Sequence, residues 1–244
     1  MKGFYFKFIH ALPIGLVLCL ACDNAANTPA PVNKYFVKYY GEDGDQFAVD
    51  MVSNADGTIV ILGQSTTGRD IFLVKTDAEG NILWQKKAGT VNDTPHDIEP
   101  MPNGNYVIAS DYLQANGSDI KLLIIDGEGN KVDSVVHGTI SDDFVKTVTV
   151  LPDGGLIANG TTNHTPEDPS RVSKFYYPRF NAQLQLLSAN DWKGDDAQGE
   201  QNVGNKIMPI DTAFVFFGHN IAETQNLNKR QRLAYFDVTN DGRK

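Results

Sequence analysis

Glycines recur at Gly41, Gly89, Gly138 and Gly194, spaced 48, 49 and 56 residues apart. Asp56-Gly57, Asn103-Gly104 and Asp153-Gly154 follow the first three, each leading into a short apolar run. Nothing between them has the 3.6-residue period and capped ends of a helix. These observations predict an all-β fold, a β-propeller of four-stranded antiparallel blades, because a repeat of about 40–50 residues holding four strands has that architecture. One four-stranded sheet cannot bury both its faces, whereas radially stacked sheets cover one another.

Asp-Gly or Asn-Gly between β-rich runs is the strongest short hairpin signal. It precedes Thr58–Leu62, Tyr106–Ala109 and Leu156–Ala158; the fourth unit has the weaker Ile210-Asp211-Thr212 before Ala213–Phe217. A second hairpin follows in each unit. In the first, Asp70–Thr76 turns through Asp77–Gly80 into Ile82–Trp84, and in the second Ile120–Ile125 turns through Asp126–Gly129 into Lys131–Val136. The third is degenerate, Phe175–Pro178 then Leu184–Leu187, and the fourth has Leu233–Asp237 before Lys244. Lys34–Gly41 has the pattern of a fourth strand, like Ile82–Gly89, and the last unit lacks one. The N-terminal strand is therefore expected to pair near Leu233–Asp237 and close a ring of four blades. The alternative is an open arc of a larger, truncated propeller.

Residues 1–21 do not belong to this fold. Lys2 and Lys7 precede an apolar stretch, Ala11–Ala21, which is shorter than the roughly 20 residues a membrane-spanning helix needs. The segment reads as a signal peptide. Residues 22–33, with Pro29 and Pro31, read as a flexible tether, and residues 34–244 as the propeller. Leu20-Ala21-Cys22 resembles a bacterial lipobox, with Cys19 where that motif usually has leucine. The resemblance implies cleavage before Cys22, diacylglycerol on its thiol and usually a third acyl chain (palmitate among them) on its amine. Cys22 is then the sole cysteine, so no internal disulfide forms. Several chains anchor firmly where one is marginal. The expected location is a Gram-negative cell envelope, at the outer membrane, with the membrane as partner through the lipid.

Without residues 1–21 the chain carries 19 Lys+Arg against 30 Asp+Glu, a net charge of −11. That balance argues against nucleic acid and anionic membrane surfaces as partners. The stretch DGTIVILGQSTTGRDIFLVKTDAEGNILWQKKAGT, residues 56–90, resembles the blade repeat of secreted bacterial propellers, the seven-bladed β-propeller repeat and its relatives, often found in surface lipoproteins. The likeness covers 41–160 well and 161–244 poorly. It implies a fold and a surface location; such blades share no single activity.

No catalytic constellation emerges. His96, His137, His164 and His219 form no His-x-x-x-His pair, Gly-x-Ser-x-Gly is absent, and no cofactor or metal is expected. Asp237-Val238-Thr239-Asn240-Asp241-Gly242 begins like a calcium loop but lacks the closing acid, so an ordinary turn is expected. Candidate ligand-binding residues are Asp45, Arg69, Asp93, Tyr112, Asp143, His164, Trp192, Asp195 and His219. The aspartates follow the landmark glycines, on loops that would ring one end of the channel; a carboxylate ring suits a cation, and the competing role is capping backbone N–H groups in their own turns. Trp192, like Trp84, suits sugar stacking or packing between blades. The second-to-third strand loops lengthen along the chain, from Ser65–Arg69 through Asp111–Ser118 and Thr161–Arg171 to Asn220–Gln231, and variable loops on a rigid scaffold carry binding. The expectation is a non-catalytic binding or scaffold module for a protein or glycan. The alternatives are a hydrolase using a loop-face carboxylate pair and an inactive truncated propeller.

Overall fold

The computed structural model describes residues 37–66, 70–163, 173–192, 200–210, 213–223 and 229–239; in the last sheet it describes the side chains of 203–210 and 214–219. All the strands belong to one compact unit that starts at Tyr39. The first sheet is β1 (Gln46–Ser53), β2 (Ile59–Ser65), β3 (Ile71–Thr76) and β4 (Ile82–Ala88), antiparallel in that order. The second is β5 (Asp93–Pro100), β6 (Tyr106–Gln114), β7 (Gly117–Ile125) and β8 (Lys131–His137). The third is β9 (Asp143–Val150), β10 (Leu156–Thr162), β11 (Lys174–Phe180) and β12 (Leu186–Trp192). The last has three strands, β13 (Glu200–Ile210), β14 (Ala213–Glu223) and β15 (Lys229–Thr239). The chain is thus a β-propeller in which every repeat yields one sheet.

The hairpin turns form where expected. Gly57, Gly104 and Gly154 take positive φ, 84°, 84° and 81°, the conformation these turns demand. The core lies between sheets. Val60, Leu62, Ile71 and Leu73 meet Ile98, Tyr106, Ile108 and Leu123 in the first seam. Val107, Ala109, Ile120 and Leu122 meet Val148, Ala158, Tyr176 and Phe180 in the second. Ile157, Phe175 and Tyr177 meet Ile207, Phe214 and Phe216 in the third. Trp84 belongs to the first seam, where its Nε1 donates to Gly127 O at 3.1 Å, so its role is packing between blades.

Every first strand carries a bulge at the same place: after Ala48, Pro95, Val145 and Gly204. The residues beyond it are Asp50, Asp97, Thr147 and Lys206. Asp50 Oδ2 accepts from Ile98 N at 3.1 Å, and Asp97 Oδ2 accepts from Val148 N at 2.7 Å. A second recurring clamp comes from the second strand. Asp111 Oδ1 accepts from Val145 N at 2.8 Å, and Thr161 Oγ1 from Gly204 N at 3.4 Å. At the first seam the equivalent backbone position is Pro95, which has no N–H. Gln64 Nε2 there donates instead to Asp93 O at 3.4 Å.

The expected closure does not form among the described residues. Val37–Gly41 is not a strand, and β15 is left as an edge. Tyr40 Oη donates to Gly80 O at 2.9 Å and Glu42 pairs with Lys87 at 3.2 Å, so this segment is held on the first sheet. Residues 34–36 lie outside the described residues. First strands pack in succession, β1 on β5, β5 on β9 and β9 on β13, with no packing of like extent joining β13 to β1. The described residues form the open arc rather than the closed ring.

The loop gradient is also corrected. Asp111–Ser118 is not a loop, because the ladder continues from Asp111↔Ile120 to Gln114↔Gly117 and only Ala115-Asn116 turns. Likewise β14 and β15 stay paired out to Glu223↔Lys229, which takes most of the expected Asn220–Gln231 loop into strands.

Leu123 is fully buried in the first seam, whereas Val132 on β8 is mostly exposed. Leu123→Ala should cost roughly 2–5 kcal/mol in urea unfolding, and Val132→Ala less than about 0.5 kcal/mol.

Candidate functional site

Strand alternation puts two kinds of connection on opposite ends of the arc. Among the described residues one end carries hairpin turns, whose own side chains take up their amides. Asp77 Oδ1 takes the amides of Glu79 and Asn81, Asp126 Oδ1 those of Glu128 and Asn130, and Asn181 Oδ1 those of Gln183 and Gln185. The other end carries the sheet-to-sheet connections and the second-to-third strand connections. On that end a cavity of about 310 Å³ opens between the β6–β7 turn and the connection from β8 to β9. Gln114, Asn116, Asp119, Thr139, Ile140 and Ser141 line it. Among the described residues no lysine, arginine or histidine does.

Its walls are held from behind. Asp142 Oδ1 accepts from Ser118 N at 3.0 Å, fixing the start of β7 against the connection. Ser141 N donates to Thr139 Oγ1 at 3.0 Å. Thr139 N donates to Asp143 Oδ2, and Gln114 Nε2 to Asp119 Oδ2. A Cβ at Gly138 would collide with the Asp119 carboxylate, so this approach needs glycine.

Asp93 and Asp143 are almost fully buried and cap the connections that contain them. Asp93 Oδ2 accepts from Thr90 N at 2.6 Å and pairs with Lys121 Nζ at 2.7 Å; Oδ1 accepts from Ser110 Oγ at 3.1 Å. Lys121 also lies 4.7 Å from the Tyr112 ring centroid. In the third sheet, Tyr176 on β11 pairs with Gly160, as Lys121 on β7 pairs with Ser110. Asp143 therefore has no matching lysine, and burial raises its carboxyl above the usual range. His137 Nε2 and Tyr176 Oη lie 2.7 Å apart beside it, and burial lowers the histidine.

Asp45 is not the first-sheet equivalent of these caps. Asp93 pairs with Tyr112 and Asp143 with Thr162, and the same register puts Gln46 opposite Ser65. Gln46 Oε1 accepts from Glu42 N at 3.3 Å, while Asp45 contributes its carbonyl to Thr66. Trp192 stacks on Phe175 at 5.7 Å between centroids and belongs to the third seam. His219 Nδ1 lies 3.2 Å from Asn205 Nδ2. Arg69, His164, Asp195 and Cys22 lie outside the described residues, as do Asn240–Gly242 of the calcium-like stretch. The structure thus brings Asp93 and Tyr112 together around Lys121, and sets Asp143 beside the cavity.

Sequence reasoning missed the acids of the first strands. Asp50 and Asp97 hydrogen-bond to one another. Burial pushes the Asp97 carboxyl up to about 7, and Asp50 and Glu99 push the same way. Glu99 is raised too, mainly by burial, with Lys206 opposing. The signal was present as Asp50, nine residues after Gly41, and Asp97, eight after Gly89. Also missed was His96, whose Nε2 lies 2.7 Å from Asp111 Oδ2.

No family model and no curated protein matches the chain. Solved structures do. A thermostable family-43 glycoside hydrolase superposes with a TM-score of 0.50 at 11% identity, over 80% of this chain and 70% of that one. The GH93 α-L-arabinofuranosidase of Fusarium graminearum, in complex with arabinobiose, gives a TM-score of 0.51 at 11% identity, over 80% of this chain and 62% of that one. At such identity the likeness shows the β-propeller fold. The chain spans less than two thirds of the arabinofuranosidase.

A carboxyl raised in the folded state stabilises the fold below its unfolded pKa and loses that contribution as pH rises through its folded value. For Asp97 the window runs from 3.8 to about 7. Asp97→Asn keeps an acceptor for Val148 N and a donor for Asp50. Its melting temperature should equal wild type near pH 4 and exceed it by about 5 °C at pH 8, as read by differential scanning calorimetry.

Proposed function

We propose that this chain is a lipid-anchored envelope protein that binds carbohydrate on its loop face without cleaving it. The observation that carries the reading is the cavity bounded by Gln114, Asn116, Asp119, Thr139 and Ser141. Amides, hydroxyls and one carboxylate donate to and accept from sugar hydroxyls, and exposed Ile140 offers an apolar edge to a ring face. Among the described residues the charged group on the lining is the Asp119 carboxylate, with Asp142 behind it, which disfavours phosphate and carboxylate ligands. The opposite end has no comparable supply of groups, since its turn acids and amides serve their own backbones. Asp45, Tyr112 and His219 belong to the same loop face in this reading, and the lipid on Cys22 presents it from the membrane.

The second reading is glycoside hydrolysis. It is favoured by the two solved structures of this fold, both glycosidases, and by three acids on the first strands, Asp50, Asp97 and Glu99. Glycosidases need carboxylates about 5–5.5 Å apart for retention or about 6.5–9.5 Å apart for inversion. Asp50 and Asp97 are in hydrogen-bond contact and already hold Ile98 N and Val148 N. Glu99 is the one acid of this group free of such a clamp, and it would have to act with Asp50.

The test is a glycan array followed by calorimetric titration. Asn116→Ala and Ser141→Ala should each weaken the selected glycan at least about tenfold with an unchanged melting curve. Binding unaffected by both variants removes the cavity from the reading. Turnover of aryl glycosides that is lost in Glu99→Gln replaces it with hydrolysis. For the anchor, a palmitate analogue fed to expressing cells should label wild type and leave Cys22→Ser unlabelled.

A further inference from the structure

The three seams repeat one set of positions, and among the described residues the two ends of the arc present that set without partners. On the first strands, Ile98, Val148 and Ile207 face the preceding sheet and are 1%, 1% and 2% exposed. Each follows the bulge by the same count, pairing with Ile108, Ala158 and Phe216. That position in β1 is Met51, paired with Ile61, and it is 68% exposed. On the second strands, Leu62, Ala109 and Asn159 face the following sheet and are each 0% exposed. The same register puts Phe217 there in β14, and it is 41% exposed. Met208, paired with Val215 on the same face of the last sheet, is 42% exposed.

The polar positions agree. Asp111 and Thr161 on the second strands accept from the next first strand, and their equivalent in the last sheet is His219, opposite Val203. At the first seam the residue just past the bulge reaches the next first strand beside its counterpart, since Asp50 Oδ2 accepts from Ile98 N, adjacent to Asp97. At the ends of the arc these positions hold Lys206 and Asp50, which are of opposite charge. One end is therefore the forward half of a seam and the other the backward half, matched in apolar surface and in sign.

We propose that a second copy of this chain supplies the missing partners, with the last sheet of one copy stacked on the first sheet of the other. Lys206 then faces the partner's Asp50, and Phe217 covers the partner's Met51. The contact is heterologous, and used at both ends it joins two chains into one ring. The three internal seams provide the packing mode. β1 packs on β5 while Met51 stays exposed, so the chain's own last sheet does not cover it.

The test uses the exported chain with Cys22→Ser, which has no other cysteine after the leader. Light scattering should give twice the chain mass. Met51→Asp and Phe217→Asp should give the single-chain mass with unchanged circular dichroism. Lys206→Glu, a surface change that spares the fold, should weaken association about tenfold. Single variants Met51→Cys and Phe217→Cys, mixed and oxidised, should form a disulfide-linked pair. A wild type of single-chain mass at every concentration, with no cross-link in the mixture, overturns the proposal. So does the double-cysteine chain cross-linking only within itself, which would mean that the arc closes on its own last sheet.

Discussion

Everything in this molecule depends on one sheet covering the next. A four-stranded sheet this short has two apolar faces, and neither can be left in water. Leu62 and Ile108 are both fully buried, although they belong to different repeats nearly fifty residues apart. The burial is also directional. The bulges of β1 and β5 turn Asp50 and Asp97 toward the neighbouring backbone, and Asp111 and Thr161 on second strands accept from the next first strand, so that these four side chains fix the seams in register. Apolar burial supplies the affinity between sheets, and these bonds decide how one sheet sits on the next.

What was legible in the sequence follows from the range of the interactions involved. Asp56-Gly57 or Asn103-Gly104 makes a turn through its own backbone, so the turns, the strands beside them and the repeat could be read directly. Trp84 could be weighed as a packing residue because its strand was clear. The seams could not be read, because a clamp joins residues in different repeats and its chemistry changes at each one. Asp111 bonds an N–H, Gln64 meets a proline and bonds a carbonyl instead, and among the described residues no sheet follows that of His219. Counting from glycine aligned Asp45 with Asp93, whereas the ladder aligns Gln46. A one-residue slip of that kind moves a side chain from a buried cap to the surface. The extent of the β6–β7 ladder was hidden for a related reason, since polar Asp111–Ser118 looks like a loop until its pairing partners are known.

The buried acids bear on function through what they are already doing. Asp93 pairs with Lys121 and accepts from the backbone amide of Thr90. Asp143 has the amide without the lysine, and its carboxyl is raised. Asp97 is raised to about 7 beside Asp50. A perturbed carboxyl is a functional clue only when its bonding capacity is free for a substrate. Here burial causes the rise, and the backbone N–H groups that these carboxyls accept from oppose it. The groups left for a ligand are those no seam requires, and they lie on the sheet-to-sheet connections.

That division explains how one scaffold can keep its fold while its binding face changes. Thr139 and Ser141 sit on a connection whose ends are tied by Asp143 below and Asp142 beside them. Substituting Ile140, which is exposed, leaves both ties in place. Substituting Asp143 releases Thr139 N and with it the hold on the cavity wall. The residues that define ligand contact and the residues that define its geometry are therefore neighbours in sequence but separate in their energetic roles. Ligand preference can drift at positions 116, 140 and 141 as long as the aspartates behind them remain.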